Sequence, residues 1–183
     1  MKKPVLLLLL AFACKSGPQA APNAAGEDAK PYYPLAVGNS WTYVLRGADR
    51  QETIQIVGRD GPWFIDDHRG RLRYENDGVR DRDRYLLRTP LAVGAKWTAV
   101  ENLVVQRFEV VGMDASAVTR AGTFTHCAVV RNEQPLGKKG KFVTEWTYAR
   151  GVGMVQLVTS TVDPQGKQQE QTRLQLVAYR VGQ

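Results

Sequence analysis

From Tyr32 onward apolar and polar residues alternate with a period of two, the spacing of an extended chain whose successive side chains point to opposite faces. In Lys141-Phe142-Val143-Thr144-Glu145-Trp146-Thr147-Tyr148 the aromatics fall on even positions and Lys141, Glu145 and Thr147 on odd ones. Residues 172–179 repeat the pattern with Leu174, Leu176 and Ala178 on one face, and 53–57 and 105–111 read similarly. This alternation predicts antiparallel strands with one face on a core and the other in solvent. Beyond the amino-terminal apolar run, no segment keeps an amphipathic helical pattern for ten residues.

Between the alternating runs lie Arg46-Gly47-Ala48-Asp49, Gly58-Arg59-Asp60-Gly61, Asn76-Asp77-Gly78, Pro135-Leu136-Gly137-Lys138-Lys139-Gly140 and Asp163-Pro164-Gln165-Gly166. Glycine, asparagine and aspartate reach the positive φ that hairpin turns need, and proline presets a turn's opening angle. The strands should therefore follow one another by hairpins. About ten are expected, forming one all-β domain over residues 32–183, an antiparallel meander curled into a sandwich or a partly open barrel.

A repeat organises this domain. Pro34-Leu35-Ala36-Val37-Gly38-Asn39-Ser40-Trp41-Thr42 recurs as Pro90-Leu91-Ala92-Val93-Gly94-Ala95-Lys96-Trp97-Thr98, seven identities in nine positions at a spacing of 56. Each copy reads as an extended Pro-Leu entry, a glycine turn and a strand opening on tryptophan. Two related β sub-units are expected, starting near 34 and 90. A unit that short would bury too little surface to stand alone, so the two should pack on each other.

These residues resemble a β-rich group of bacterial secreted proteins and lipoproteins. The matching stretches are Tyr33 to Trp41, its second copy Leu87 to Trp97, Gly122-Thr123-Phe124 with Cys127 and Val129, and Gly151-Val152-Gly153, together spanning most of residues 32–160. The resemblance implies an extracytoplasmic β domain. It carries over no catalytic residue and no activity.

The chain opens Met1-Lys2-Lys3-Pro4-Val5, continues with leucine from Leu6 to Leu10, and then reads Ala11-Phe12-Ala13-Cys14. Lysines, a short apolar run and small residues make a secretory signal over residues 1–13. The run, at roughly ten residues, is too short to cross a hydrocarbon core of about 30 Å as a helix. A cysteine after such a run and a small residue resembles the lipobox of bacterial lipoproteins, which implies cleavage before Cys14 and acyl chains on its sulfur and amine. Ala13 fits the small position, whereas Ala11 stands where leucine is usual and Phe12 is bulky for its slot. Cleavage after Ala20 or Ala21 is the alternative. Each buried methylene contributes about 0.8 kcal/mol, so several acyl chains would hold a soluble domain on a membrane. Lys15 resembles the outer-membrane sorting pattern of enteric lipoproteins. Residues 15–31 hold no aliphatic larger than alanine and no aromatic. A flexible tether over 14–31 is therefore expected, with a coil span of roughly 20–25 Å.

Composition narrows the rest. Hydrophobic residues at 43% and charged ones at 23% of 183 residues exclude collagen-like, wholly disordered and polytopic membrane classes. The formal charge of +7 falls to about +5 without Lys2 and Lys3. That excess is interleaved with acids, as in Val79-Arg80-Asp81-Arg82-Asp83-Arg84, so no nucleic-acid partner is expected.

Candidate chemistry is sparse. Trp41 and Trp97 could stack on a ligand, but each can bury about 200 Å² and reads as a core anchor. His126 and Cys127 invite a thiolate reading, yet neighbours on a strand face opposite ways, and Cys127 reads as a small buried hydrophobe. With Cys14 acylated, Cys127 has no disulfide partner in the mature chain. Asp66 and His68, two apart, could share a face and approach a metal, but the chain holds only two histidines and no metal site is expected. Arg69, Arg71 and Arg73 on one strand and Arg80, Arg82 and Arg84 on its partner could form a cationic ladder, against the plainer reading of a charge-protected sheet edge. Gly151-Val152-Gly153 reads as a bend between strands. No cofactor and no catalytic residue is expected. The sequence thus predicts a non-enzymatic, lipid-anchored binding or scaffold module of the bacterial envelope, in the outer membrane and facing the periplasm, with envelope proteins as partners. The alternative is a periplasmic carrier holding a lipid or other hydrophobic ligand in a β cavity.

Overall fold

A computed structural model describes residues 26–101 and 103–182. The signal segment 1–13 and Cys14 lie outside the described residues.

The described chain is all-β, as the alternation predicts, and it holds twelve strands. The first half is a meander of β1 (Ser40–Leu45), β2 (Gln51–Asp60), β3 (Trp63–Asp66), β4 (Arg71–Glu75), β5 (Gly78–Arg80) and β6 (Tyr85–Arg88). The second is a meander of β7 (Lys96–Glu101), β8 (Val104–Thr119), β9 (Gly122–Pro135), β10 (Lys141–Ala149), β11 (Gly153–Val162) and β12 (Gln168–Arg180). All pairings are antiparallel, and β1 joins the halves by pairing with β12. The single sheet therefore runs β6-β5-β4-β3-β2-β1-β12-β11-β10-β9-β8-β7 and curls into a nearly closed barrel, with β6 and β7 at its two edges. Each turn cluster singled out in the sequence sits at a hairpin. Among the described residues no helix is long and apolar enough to cross a membrane.

Each half opens with one copy of the repeat, and the copies make the same backbone bonds. The amide of Gly38 donates to Ile56 O and that of Asn39 to Ala36 O; Gly94 donates to Val110 O and Ala95 to Ala92 O. The next strand replies in both copies, Ile56 N to Asn39 O and Val110 N to Ala95 O. Gly38 at φ 93° and Gly94 at φ 88° supply the left-handed residue that this turn requires.

The two copies anchor different parts of the core. Leu35 and Trp41 belong to one buried cluster with Ile56, Val155 and Leu176, and Leu91 and Trp97 to another with Phe108, Val130 and Tyr148. Tyr33 and Met154 touch both clusters and bridge them. Trp41 and Trp97 are only 3% and 5% exposed, the core-anchor position. The Trp41 indole donates to Val152 O at 2.6 Å, so its polar edge is satisfied as its ring is buried.

Two details depart from the sequence reading. Leu174 and Leu176 face inward, but Ala178 is exposed. The β1–β12 register shifts between Thr42 and Tyr43, and a residue bulged out of the ladder reverses the facing of those beyond it. The expected tether, drawn through Pro31, is also too long. Glu27 pairs with Leu91 through two backbone bonds, Ala29 is fully buried, and Lys30–Tyr32 form a 3-10 turn that buries Tyr32. Small residues did not preclude packing here, because an alanine and a backbone strand fit where larger side chains would not.

Candidate functional site

Side chains close the barrel at the β6–β7 seam. The Trp97 indole donates to Tyr85 O across it at 3.1 Å. Arg84, in the β5–β6 turn, lays its guanidinium 5.2 Å from the Phe108 ring centre and 5.3 Å from that of Trp146. Cation–π contacts of this kind hold the second half's aromatic surface against the first half's edge.

Beside the seam lies a half-open concavity of about 1020 Å³, with Arg88 of β6 on one bank and residues of β7 to β10 on the other. Its floor owes its character to register. Lys96 stands opposite Glu109 and Glu109 opposite Arg131, a row of alternating charge across three strands that Glu145, opposite Arg131, continues onto β10 outside the concavity. Lys96 bonds Glu109 at 3.3 Å, and Arg131 bonds Glu145 at 2.7 Å. A second pair, Lys141 with Glu133 at 2.7 Å, lies nearer the β9–β10 turn. Arg107 also lines the concavity and makes no ion pair among the described residues. Arg88 is held by Asp77, whose carboxyl the Tyr85 hydroxyl and Arg88 keep below the usual range. The arrangement offers a stiff, mixed-charge floor for a polar partner and one uncommitted cation. Nothing in the sequence alternation marks these residues as a set. They are ordinary outward-facing charges until the register aligns them.

The residues singled out earlier fall elsewhere. Cys127 is buried, its thiol pushed up by burial, and its Sγ lies 3.7 Å from Thr125 O. His126 is exposed beside Asp114. The two face apart, and His126 adopts φ 52°. Asp66 ends β3 and His68 sits in the following turn rather than on a strand. There the Asp66 carboxylate accepts the amides of His68 and Gly70, at 2.9 and 2.7 Å. The His68 ring lies between Glu52 and Asp67, each at 2.9 Å. Those hydrogen bonds, Glu52's first, raise the histidine's affinity for its proton. Asp66, Asp67 and His68 converge within 4.8 Å. Their atoms are engaged in closing a turn and in hydrogen bonds with the imidazole, which leaves few lone pairs free for a metal.

The arginine ladder shrinks to one cross-strand pair, Arg73 opposite Arg80. Arg69 lies in the β3–β4 turn, and Arg82 and Arg84 lie in the β5–β6 turn that Asp81 closes by accepting the amides of Asp83 and Arg84. The cations are spent locally. Arg71 bonds Asp60 at 2.9 Å, Arg73 pairs with Glu75 and stacks 4.5 Å over Trp63, and Arg80 donates to the carbonyls of Asp81 and Arg82. Gly151-Val152-Gly153 forms the β10–β11 turn, as expected.

The fold and its seam define a nearly closed, twelve-stranded antiparallel barrel with a charged external groove. No protein-family model matches the chain, and no curated protein matches its sequence. Two solved structures are similar in fold. One is a protein of Bacteroides fragilis inferred to be exported and described as having a YmcC-like fold, at 13% identity and a TM-score of 0.44, covering 81% of this chain and 98% of its own. The other is a protein of Parabacteroides distasonis inferred to be a lipoprotein, at 12% identity and a TM-score of 0.43, covering 84% of this chain and all of its own.

Proposed function

We propose that the chain is a lipid-anchored, extracytoplasmic module of the bacterial envelope, without catalytic activity, that binds an envelope protein through the seam groove. The observation that carries the binding role is the row Lys96–Glu109–Arg131 along the groove beside Arg107, which makes no ion pair among the described residues. A rigid row of alternating charge selects a partner by complementary pattern, more through specificity and encounter than through raw affinity. The address rests on the secretory segment and on Cys14, which would carry the acyl chains. From Cys14 to Gly26 even an extended chain spans only about 40 Å, so the barrel would stay close to its membrane.

The carrier alternative requires an interior with room for a ligand. Here Trp41, Tyr43, Phe108 and Tyr148 are buried in the two core clusters, and the concavity, bordered by Trp97 and Phe108 as well as by the charged row, is half open to solvent rather than an enclosed interior. Those features favour the binding module. The reading is tested with a photo-crosslinking residue at Thr98, in the groove, and a control at Val118, outside it, in cells of the native host. One dominant envelope protein captured from Thr98 and weakened by Arg107→Glu is the expected result. A chain that stays monomeric and uncrosslinked at both positions would overturn it.

A further inference from the structure

One end of the sheet exposes apolar side chains that no packing accounts for. The β7–β8 hairpin exposes Val100, Leu103, Val104 and Val105, and the β9–β10 turn exposes Leu136. Register brings the two together. Phe108 stands opposite Asn132 in an antiparallel pair and Gln134 bonds Gln106 at 2.9 Å beyond it, so the β7–β8 and β9–β10 turns lie at the same end of the sheet. Lys141 opposite Val162 puts the β11–β12 turn next in line. Five of the eleven exposed large hydrophobic side chains of the described surface lie on this one rim. That is a concentration, where scattered single residues would need no explanation.

Leu103 makes the point sharpest. It is 97% exposed and adopts φ 64°, a backbone state that glycine or asparagine reaches with less strain. A leucine there adds no burial and opposes the turn's own preference, so stability of the fold does not explain it. Beside this apex, Lys138 and Lys139 of the β9–β10 turn and Lys167 of the β11–β12 turn are exposed and make no ion pair among the described residues. The nearby acids are mostly committed. Glu133 is held by Lys141, and Asp163 accepts the amides of Gln165 and Lys167, which leaves Glu101 beside the apex.

We propose that this rim is a bilayer contact, in which Leu103 and its neighbouring valines enter the boundary between headgroups and acyl chains of an anionic membrane while Lys138, Lys139 and Lys167 meet lipid phosphates. Apolar side chains at a protruding tip with cations at their flank are the chemistry of interfacial membrane binding. The proposal deepens the anchored-module reading and rests on it: the described chain begins beside Leu91 and Arg150, at the end of the barrel opposite this rim, so the tether, about 40 Å when extended, would run the length of the barrel to bring the rim to the same bilayer. The contact would fix the orientation of the barrel, which a single amino-terminal anchor leaves free.

The test uses the full chain, purified from the membranes of its host and reconstituted into vesicles of phosphatidylethanolamine and phosphatidylglycerol. An environment-sensitive thiol fluorophore is placed by Leu103→Cys and, as control on the β8–β9 hairpin, by Val118→Cys. The label at 103 should shift to the blue and be quenched by doxyl-labelled lipid at least about threefold more strongly than the label at 118. Lys138→Glu with Lys139→Glu, or vesicles of phosphatidylcholine alone, should abolish that difference. Equal, water-like labels at 103 and 118 would overturn the proposal. So would a label at 103 that is shielded without lipid quenching, since a protein would then be the occupant. Failure of the anchor reads out separately, because the unsubstituted chain takes up label in its folded state only if Cys14 carries a free thiol.

Discussion

His68 lies between two carboxylates, and the sign of its pH dependence follows. Hydrogen bonds to the Glu52 and Asp67 carboxylates raise its pKa above the ordinary 6.5, and Asp67 is lowered below 3.8 by the Gln55 amide and by His68. A raised histidine stabilises the fold fully below 6.5 and ceases to do so as pH climbs through its folded value. A lowered aspartate stabilises above 3.8 and stops as pH falls through its own folded value. The two contributions coexist in the mildly acidic window between them. An NMR titration of His68 should therefore give a midpoint above 6.5, and the difference in Tm between the wild type and His68→Gln should be largest at about pH 5 and vanish in mild alkali. A midpoint at or below the ordinary value would contradict the geometry. The tryptophans make a second test. Trp41→Phe leaves the carbonyl of Val152 without its buried donor and should cost about 1–3 kcal/mol in urea unfolding. Trp97→Phe trims a buried ring in the same way, but its lost bond to Tyr85 at the seam is only part-buried, and that bond's share should be smaller, about 0.5–1.5 kcal/mol.

The repeated turn before β1 and before β7 invites a paired measurement. A Cβ at Gly38 or Gly94 would meet nothing within 4 Å, so the cost of alanine there comes from backbone conformation alone. Gly38→Ala and Gly94→Ala should each destabilise by about 1–2 kcal/mol, and by similar amounts. Costs that differ severalfold would mean that the copies are not under the same constraint. The strands and their hairpins were legible in the sequence because alternation and turn residues are local signals: Asn76-Asp77-Gly78 and Pro135 to Gly140 each sit at a reversal. The seam was not legible. Trp97 reaching Tyr85 and Arg84 covering Phe108 depend on where the sheet's two edges meet, a property of closure that no short window contains. The arginine ladder failed for a related reason. Equal spacing on two strands suggested equal facing, but Asp81 folds Arg82 and Arg84 into a turn. The charged row at the groove is a matter of register across three strands, and its members look like any other solvent-facing residues when read along the chain.

At the scale of the molecule, two six-stranded meanders, each begun by one copy of the nine-residue repeat, pair through β1 and β12 and leave one seam latched by side chains. Their interior is aromatic and packed, and their outer surface carries a charged groove and a rim of aliphatics and lysines. Cys127 is buried, as a lone thiol in the oxidising compartment proposed for this chain would need to be. Its thiol should resist modification in the folded protein and react fully in denaturant, as a timed thiol assay would show, provided that Cys14 is acylated. The address itself turns on Cys14, and mass spectrometry of the amino-terminal peptide from the native host's membranes reads it directly. The account predicts a peptide beginning at Cys14 and carrying acyl chains, lost when Cys14→Ser is introduced. An unmodified peptide beginning after Ala20 or Ala21, recovered from the soluble fraction, would contradict it.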